Sequence, residues 1–203
     1  MAVIGVTLNE VLRDFVGQLS YTYTKYINSS FKIKEDEVTN ANLIEHFPFD
    51  NIDEFNKFVY DEAALEIFGH ADQLHDNLIS KFNIFLMDIV DEEEHEIVLV
   101  SREAVKSIPS TYFFLSKVLC KATNIKFVQK YEDMWDGIDV LITATPEALN
   151  SKPEGKISVK VNASYNEDFK GDYEIDNLTE FMNDEKLRDR IMSDKITNYE
   201  EIE

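Results

Sequence analysis

The chain has 203 residues, and 40 Asp and Glu against 20 Lys and Arg leave it with a formal charge of −20. Roughly 100–200 residues make one domain, and a hydrophobic content of 44% with 14 Phe and 9 Tyr excludes a disordered acidic chain. The excess of anions argues against direct nucleic-acid or anionic-membrane binding, because affinity for a phosphate polymer comes largely from Lys and Arg displacing its counterions.

Residues Ala2 to Leu8 form a short apolar, β-branched run, the pattern of a strand buried in a parallel sheet. No basic leader precedes it, so it does not read as a signal peptide, and no run approaches the ~20 apolar residues of a membrane-spanning helix. Val11, Leu12, Phe15, Val16, Leu19, Tyr23 and Tyr26 recur mostly at helical spacing, which predicts a helix from Val11 to Ile27. Residues 28–42 are polar and predict a loop. Between Leu43 and Asp88 the pattern predicts several helical pieces, interrupted at Pro48, Asp50 and Gly69. Phe55, Phe58, Val59, Leu65, Ile67 and Phe68 form one apolar stripe. Leu74, Leu78, Phe82 and Phe85 form another, in a piece from Ala71 to Met87.

The acidic run Asp91 to Glu94 leads into a second buried strand, Glu96 to Val100. A helix over Ser110 to Cys120 follows, then strands over Ile125 to Val128, Ile138 to Ile142 and Lys156 to Val161, and an acidic helix over Leu178 to Ser193. The alternation predicts an α/β fold: a three-layer, Rossmann-like, mainly parallel sheet with helices on both faces. Residues 1–27 and 96–203 are expected to form its core, and residues 28–95 a mostly helical insert. A single cysteine, Cys120, excludes an internal disulfide and a four-thiolate zinc site, fits synthesis in a reducing cytosol, and reads as a buried, inert thiol. His70 and His75 are five apart, off a common helical face, and read as boundary residues rather than a metal pair. Glu92 to Glu94 and the terminal Glu200, Glu201 and Glu203 read as solvated acidic faces.

In a parallel sheet, ligands gather at the carboxyl ends of the strands, here Thr7 to Glu10, Ser101 to Glu103 and Thr143 to Pro146. The first of these, VIGVTLNEVLRDF, resembles the first motif of the haloacid dehalogenase-like superfamily, a hydrophobic strand followed by Asp-x-Asp-x-Val-Leu. It is most similar to the 5′(3′)-deoxyribonucleotidase branch, with Val11, Leu12, Asp14 and Phe15 at that branch's Val, Leu, Asp and Phe. IVLVS, ending at Ser101, is similar to the second motif, whose Ser or Thr binds the phosphoryl group; Lys130 lies near the motif lysine, with Lys117, Lys121 and Lys126 as other candidates. DVLITATPEAL, from Asp139, is similar to the fourth motif. The resemblance implies a cap, formed by the helical insert, over a phosphate pocket lined by Ser101, Arg102 and Lys130. Arg102 would face a phosphate there, or pair with Glu10 or Glu103.

The chain departs from that family at the residues that carry its chemistry. Thr7 stands where the resemblance expects the nucleophilic Asp, Asn9 at the general acid/base Asp, and Thr143 and Ala144 at the two metal-holding Asp. A Thr hydroxyl needs a neighbouring base to attack, and neither Asn9 nor Thr143 is one. Glu10 and Asp14 are expected to be solvated or to cap rather than replace these carboxylates, and Asp139 to lie at the opposite end of the sheet. The reading is therefore a pseudoenzyme with no catalytic residues, no metal and no cofactor, retained for protein binding or assembly. The wording of EHFPF, EIFGHADQL and KPEGKISVKV resembles proteins from the structural gene region of crAss-like gut bacteriophages. That resemblance implies synthesis in the host cytoplasm and a place in the virion, at the neck or tail. The alternatives are a phosphatase or nucleotidase acting on small phosphate esters, and a binder that holds a phosphate ligand without hydrolysing it.

Overall fold

A computed structural model describes residues 2–34, 37–91 and 95–200. Six strands pair in parallel: β1 (Val3–Thr7), β2 (Glu96–Arg102), β3 (Ile125–Val128), β4 (Val140–Thr143), β5 (Ile157–Val161) and β6 (Tyr173–Ile175). Their order across the sheet is β3-β2-β1-β4-β5-β6, so the chain runs outward from β1 on one side and then on the other. This is the expected α/β architecture. β1 sits at the centre, and Gly5 lets its neighbours close over it: a Cβ there would lie 2.8 Å from Leu141 Cδ1.

One face of the sheet packs against α3 (Leu78–Asp91), α4 (Ile108–Lys117), α6 (Leu178–Asn183) and α7 (Glu185–Glu200), in a core that joins Ile4, Val6, Leu99 and Ile142 to Phe82, Phe114 and Phe181. On the other face Leu141 and Val100 meet Met134, Trp135 and Ala148, the last on the short helix α5 (Pro146–Asn150). A separate core holds α1 (Phe15–Tyr26), α2 (Ile52–Lys57) and two π-helical turns, Phe58–Glu62 and Leu65–Gly69. There Tyr23 packs edge-on against Phe31, Phe47 and Phe49. Among the described residues no helix is long and apolar enough to cross a membrane.

Packing redraws the expected limits of the insert. The α1 stripe of Phe15, Val16, Leu19 and Tyr23 belongs to the insert's core, whereas α3, placed within 28–95 from sequence, belongs to the sheet's. The α1 helix starts at Phe15 rather than Val11, because Leu12 N and Arg13 N both donate to Leu8 O and close a tight turn first. The predicted helix from Ala71 starts only at Leu78. The one expected over Leu178 to Ser193 is two, broken at extended Asp184, whose carboxylate caps the second through Leu187 N at 3.0 Å. Glu92 to Glu94, Glu201 and Glu203 lie outside the described residues.

Candidate functional site

The strands β1, β2 and β4, adjacent in the sheet, bring Thr7, Ser101, Arg102 and Thr143 to one edge, roofed by the insert. A pocket of about 110 Å³ lies between them. Thr7, Asn9, Glu10, Ser101, Arg102 and Thr145 line it from the sheet, Tyr131 from the segment after β3, and Phe15, Val16, Leu43, Phe55 and Tyr60 from the insert. It is smaller than the roughly 300–1,000 Å³ typical of pockets that enclose organic ligands.

The groups at the four expected positions are turned to internal partners. Thr7 is buried and donates its hydroxyl towards Thr143 Oγ1 at 3.2 Å and Ile142 O at 3.4 Å. Thr143 Oγ1 in turn accepts from Thr145 N at 3.0 Å, and Ala144 is wholly buried. Asn9 Oδ1 accepts from Arg13 Nη2 at 2.6 Å and from Nε at 2.9 Å. Arg13 is itself completely buried. Its Nη2 pairs with Glu103 Oε1 at 2.9 Å, and its Nη1 donates to Thr111 Oγ1 at 2.7 Å. Glu103 also accepts from Ser101 Oγ at 2.9 Å, from Ser107 Oγ at 3.2 Å and from Thr111 Oγ1. Burial draws the Arg13 guanidinium below its ordinary range and Glu103 pushes back; arginine nevertheless keeps its proton.

The remaining carboxylates serve the backbone. Glu10 is 3% exposed and sits at a left-handed φ of 56°. From there its Oε1 accepts from Phe15 N at 2.9 Å and Val16 N at 2.8 Å, the free amides that open α1. The expectation that Glu10 caps is met, but it does so from the interior rather than from solvent. Asp14 caps α1 through Gly17 N at 2.8 Å, and burial raises its carboxyl above the usual range. Asp139 lies at the opposite end of the sheet, where it accepts from Val3 N and pairs with Lys156.

Of the three side chains expected to hold a phosphate, Ser101 and Arg102 line the pocket. Lys130 does not: it is exposed, 3.7 Å from Glu132, and its neighbour Tyr131 faces the pocket instead. Lys117 and Lys126 hold backbone carbonyls of residues 70, 71, 133 and 136. Arg102 donates to Gln129 O at 3.2 Å, reaches Tyr60 Oη at 3.5 Å and lies 4.7 Å from the Tyr131 ring centre. Burial raises the Tyr60 phenol; burial, with Glu147 adding to it, pushes Tyr131 up to about 12. Cys120 is half-buried rather than buried as expected, and that partial burial still raises its thiol, which fits an inert cysteine. Sequence reasoning missed Arg13 altogether, and missed Tyr60 and Tyr131 as pocket walls. The available signal for Arg13 is a cation in the turn after β1, close in the chain to Asn9, whose side-chain carbonyl can accept from it.

Magnesium takes near-octahedral oxygen ligands at ~2.0–2.1 Å, carboxylates among them. The corresponding groups here are two Thr hydroxyls, an Asn carbonyl already accepting twice from a guanidinium, and an alanine methyl. Among the described residues no three His, Cys, Asp or Glu converge in a metal-holding group. This donor set does not fit the ion.

No protein-family model matches the chain and no curated protein matches it in sequence. Solved structures do resemble it. A candidate haloacid dehalogenase-like hydrolase from Burkholderia xenovorans LB400 superposes with a TM-score of 0.59 at 9% identity, covering 91% of this chain and 96% of that one. A haloacid dehalogenase-like family hydrolase from Xanthomonas campestris (TM-score 0.47, 10% identity, 98% of each chain) is more distant. So is a candidate hydrolase of the same kind from Bacillus subtilis (0.48, 14%, 89% of this chain and 96% of that one). The six-stranded parallel sheet with its helical insert therefore has the fold of the haloacid dehalogenase-like hydrolases.

Proposed function

We propose that this chain uses a hydrolase fold as a non-catalytic, protein-binding component of a larger assembly, such as a phage neck or tail. One observation carries the reading: where relatives of this fold would need a nucleophilic carboxylate and a proton shuttle, Thr7 is bonded to Thr143, and Asn9 is held by a buried arginine. An amide cannot donate or take up a proton as an acid/base, and losing that function alone forfeits ~10²–10⁴ in rate. The outer surface supports a binding role: α4 and the turn after it present Tyr112, Phe113 and Leu119 to solvent, with Ile84 exposed on α3.

The test has two parts. Purified protein with magnesium should release no phosphate from deoxynucleoside monophosphates or p-nitrophenyl phosphate; magnesium-dependent release lost in Thr7→Ala would overturn the non-catalytic reading. Mass spectrometry of purified particles should find the chain at fixed stoichiometry, and its consistent absence would reject assembly. A second reading, a non-hydrolysing anion holder, is favoured by Arg102, which lines the pocket with no acidic partner among the described residues. Calorimetry with inorganic phosphate on wild type and Arg102→Met tests it.

A further inference from the structure

The insert leaves and rejoins the sheet domain through one narrow neck. Residues 12–14 lead out and 72–74 lead back, bonded to each other by Asp14 N to Asp72 O and by Leu74 N to Leu12 O, both at 3.0 Å. A unit with its own core on such a neck is expected to swing, since interfaces between packed units are ordinarily mobile. Here the neck contains Arg13, and its guanidinium touches both sides. It lies 5.0 Å from the ring centre of Phe68, which belongs to the insert's core, and 5.4 Å from that of Phe114, which belongs to the sheet's. It also donates to Phe68 O at 3.4 Å on the insert side, and to Thr111 and Glu103 on the sheet side. Lys117, on α4, adds a further tie by donating to His70 O and Ala71 O, just before the returning side of the neck.

We propose that Arg13 and Glu103 form a clamp that locks the insert closed over the sheet edge. Opening the neck would have to pull a guanidinium that is wholly buried away from a carboxylate, a threonine hydroxyl and one of two flanking rings. The carboxylate that receives Arg13 is also the one that engages Ser101. Closure and the internal satisfaction of the pocket's polar wall are thus one structure.

Amide hydrogen exchange followed by NMR on the full chain tests this, with the neck amides Asp14 and Leu74 compared against the sheet amides Val6 and Val159. In the wild type the neck should exchange in the same slow class as the sheet. In Arg13→Met/Glu103→Leu, which removes both charges of the pair, neck exchange should rise by about tenfold or more while the sheet is unchanged. If that variant does not fold, Glu103→Gln, which keeps the shape and weakens the pairing, is read in the same way. A neck that already exchanges much faster than the sheet in the wild type, or one unaffected in a folded variant, would overturn the clamp.

Discussion

Asn9 and Arg13 together make the pocket resistant to repair by a single substitution. In Asn9→Asp the new carboxylate would inherit both guanidinium contacts, and an opposing charge this close favours the ionised form. A general acid needs a proton to give near neutral pH. In a carbon-detected NMR titration of the variant, the introduced carboxyl should therefore titrate below the ordinary aspartate value of about 3.9, and no phosphatase activity should be gained. Glu103 makes the complementary point about stability. Arg13→Met leaves that carboxylate buried with only hydroxyl donors, and breaking a buried pair from one side typically costs about 3–5 kcal/mol. Urea unfolding should show this loss for Arg13→Met and a clearly smaller one for Arg13→Met/Glu103→Leu, which removes the orphaned charge. Equal losses in the two variants would mean that the ion pair is not what holds this turn.

The helix α4 ends on a residue its sequence would not suggest. Leu119 has a left-handed φ of 57° and is 76% exposed; Cys120 N bonds back to Leu115 O and Leu119 N to Ser116 O, the closing pattern that glycine normally serves. A non-glycine residue there carries about 1–2 kcal/mol of strain, and so exposed a side chain recovers little by burial. Leu119→Gly should hold or raise the unfolding stability by up to about 1 kcal/mol; a clear loss would show that Leu119 packs within the monomer. Such terminal geometry was not legible in the sequence, but β1 to β5 were, because each carries at least three β-branched or large apolar residues, the runs expected of a parallel sheet. β6 was missed, since its three residues, Tyr173 and Ile175 on either side of a charged Glu174, make no apolar run. The stripes of α1 and α3 showed which faces are buried but not against what, which misplaced the insert's limits. At the site, Thr7, Asn9 and Ser101 could be placed by following strands to their ends. The Arg13–Glu103 pair could not: its partners are 90 residues apart and meet only because β1 and β2 are neighbours in the sheet.

A charge of −20 on 203 residues means that electrostatics, summed over the chain, oppose compaction. Most of the ion pairs outside the clamp are partly exposed, as at Lys57–Glu62 and Lys106–Asp61, and exposed pairs contribute only about 0–1 kcal/mol each. Screening should therefore weaken repulsion more than attraction, and the thermal midpoint should rise with added sodium chloride near neutral pH. The alkaline side adds a term that salt cannot repair. Burial, assisted by Glu147, pushes Tyr131 up to about 12; burial and a hydrogen bond to Asp194 do the same for Tyr173, both from an unfolded value of 10.0. A group that holds its proton more tightly when folded contributes stability that is fully present below the unfolded value and is lost as pH rises through the folded one. Between about pH 10 and pH 12 the unfolded chain sheds these protons first, so the midpoint should fall steeply there even in high salt. Tyr131→Phe removes one of the two groups and should flatten that fall, while leaving the salt response near neutral pH unchanged. A slope identical to wild type in differential scanning calorimetry would mean that Tyr131 ionises as freely in the folded protein as in the open chain, and that the pocket wall it forms is wet.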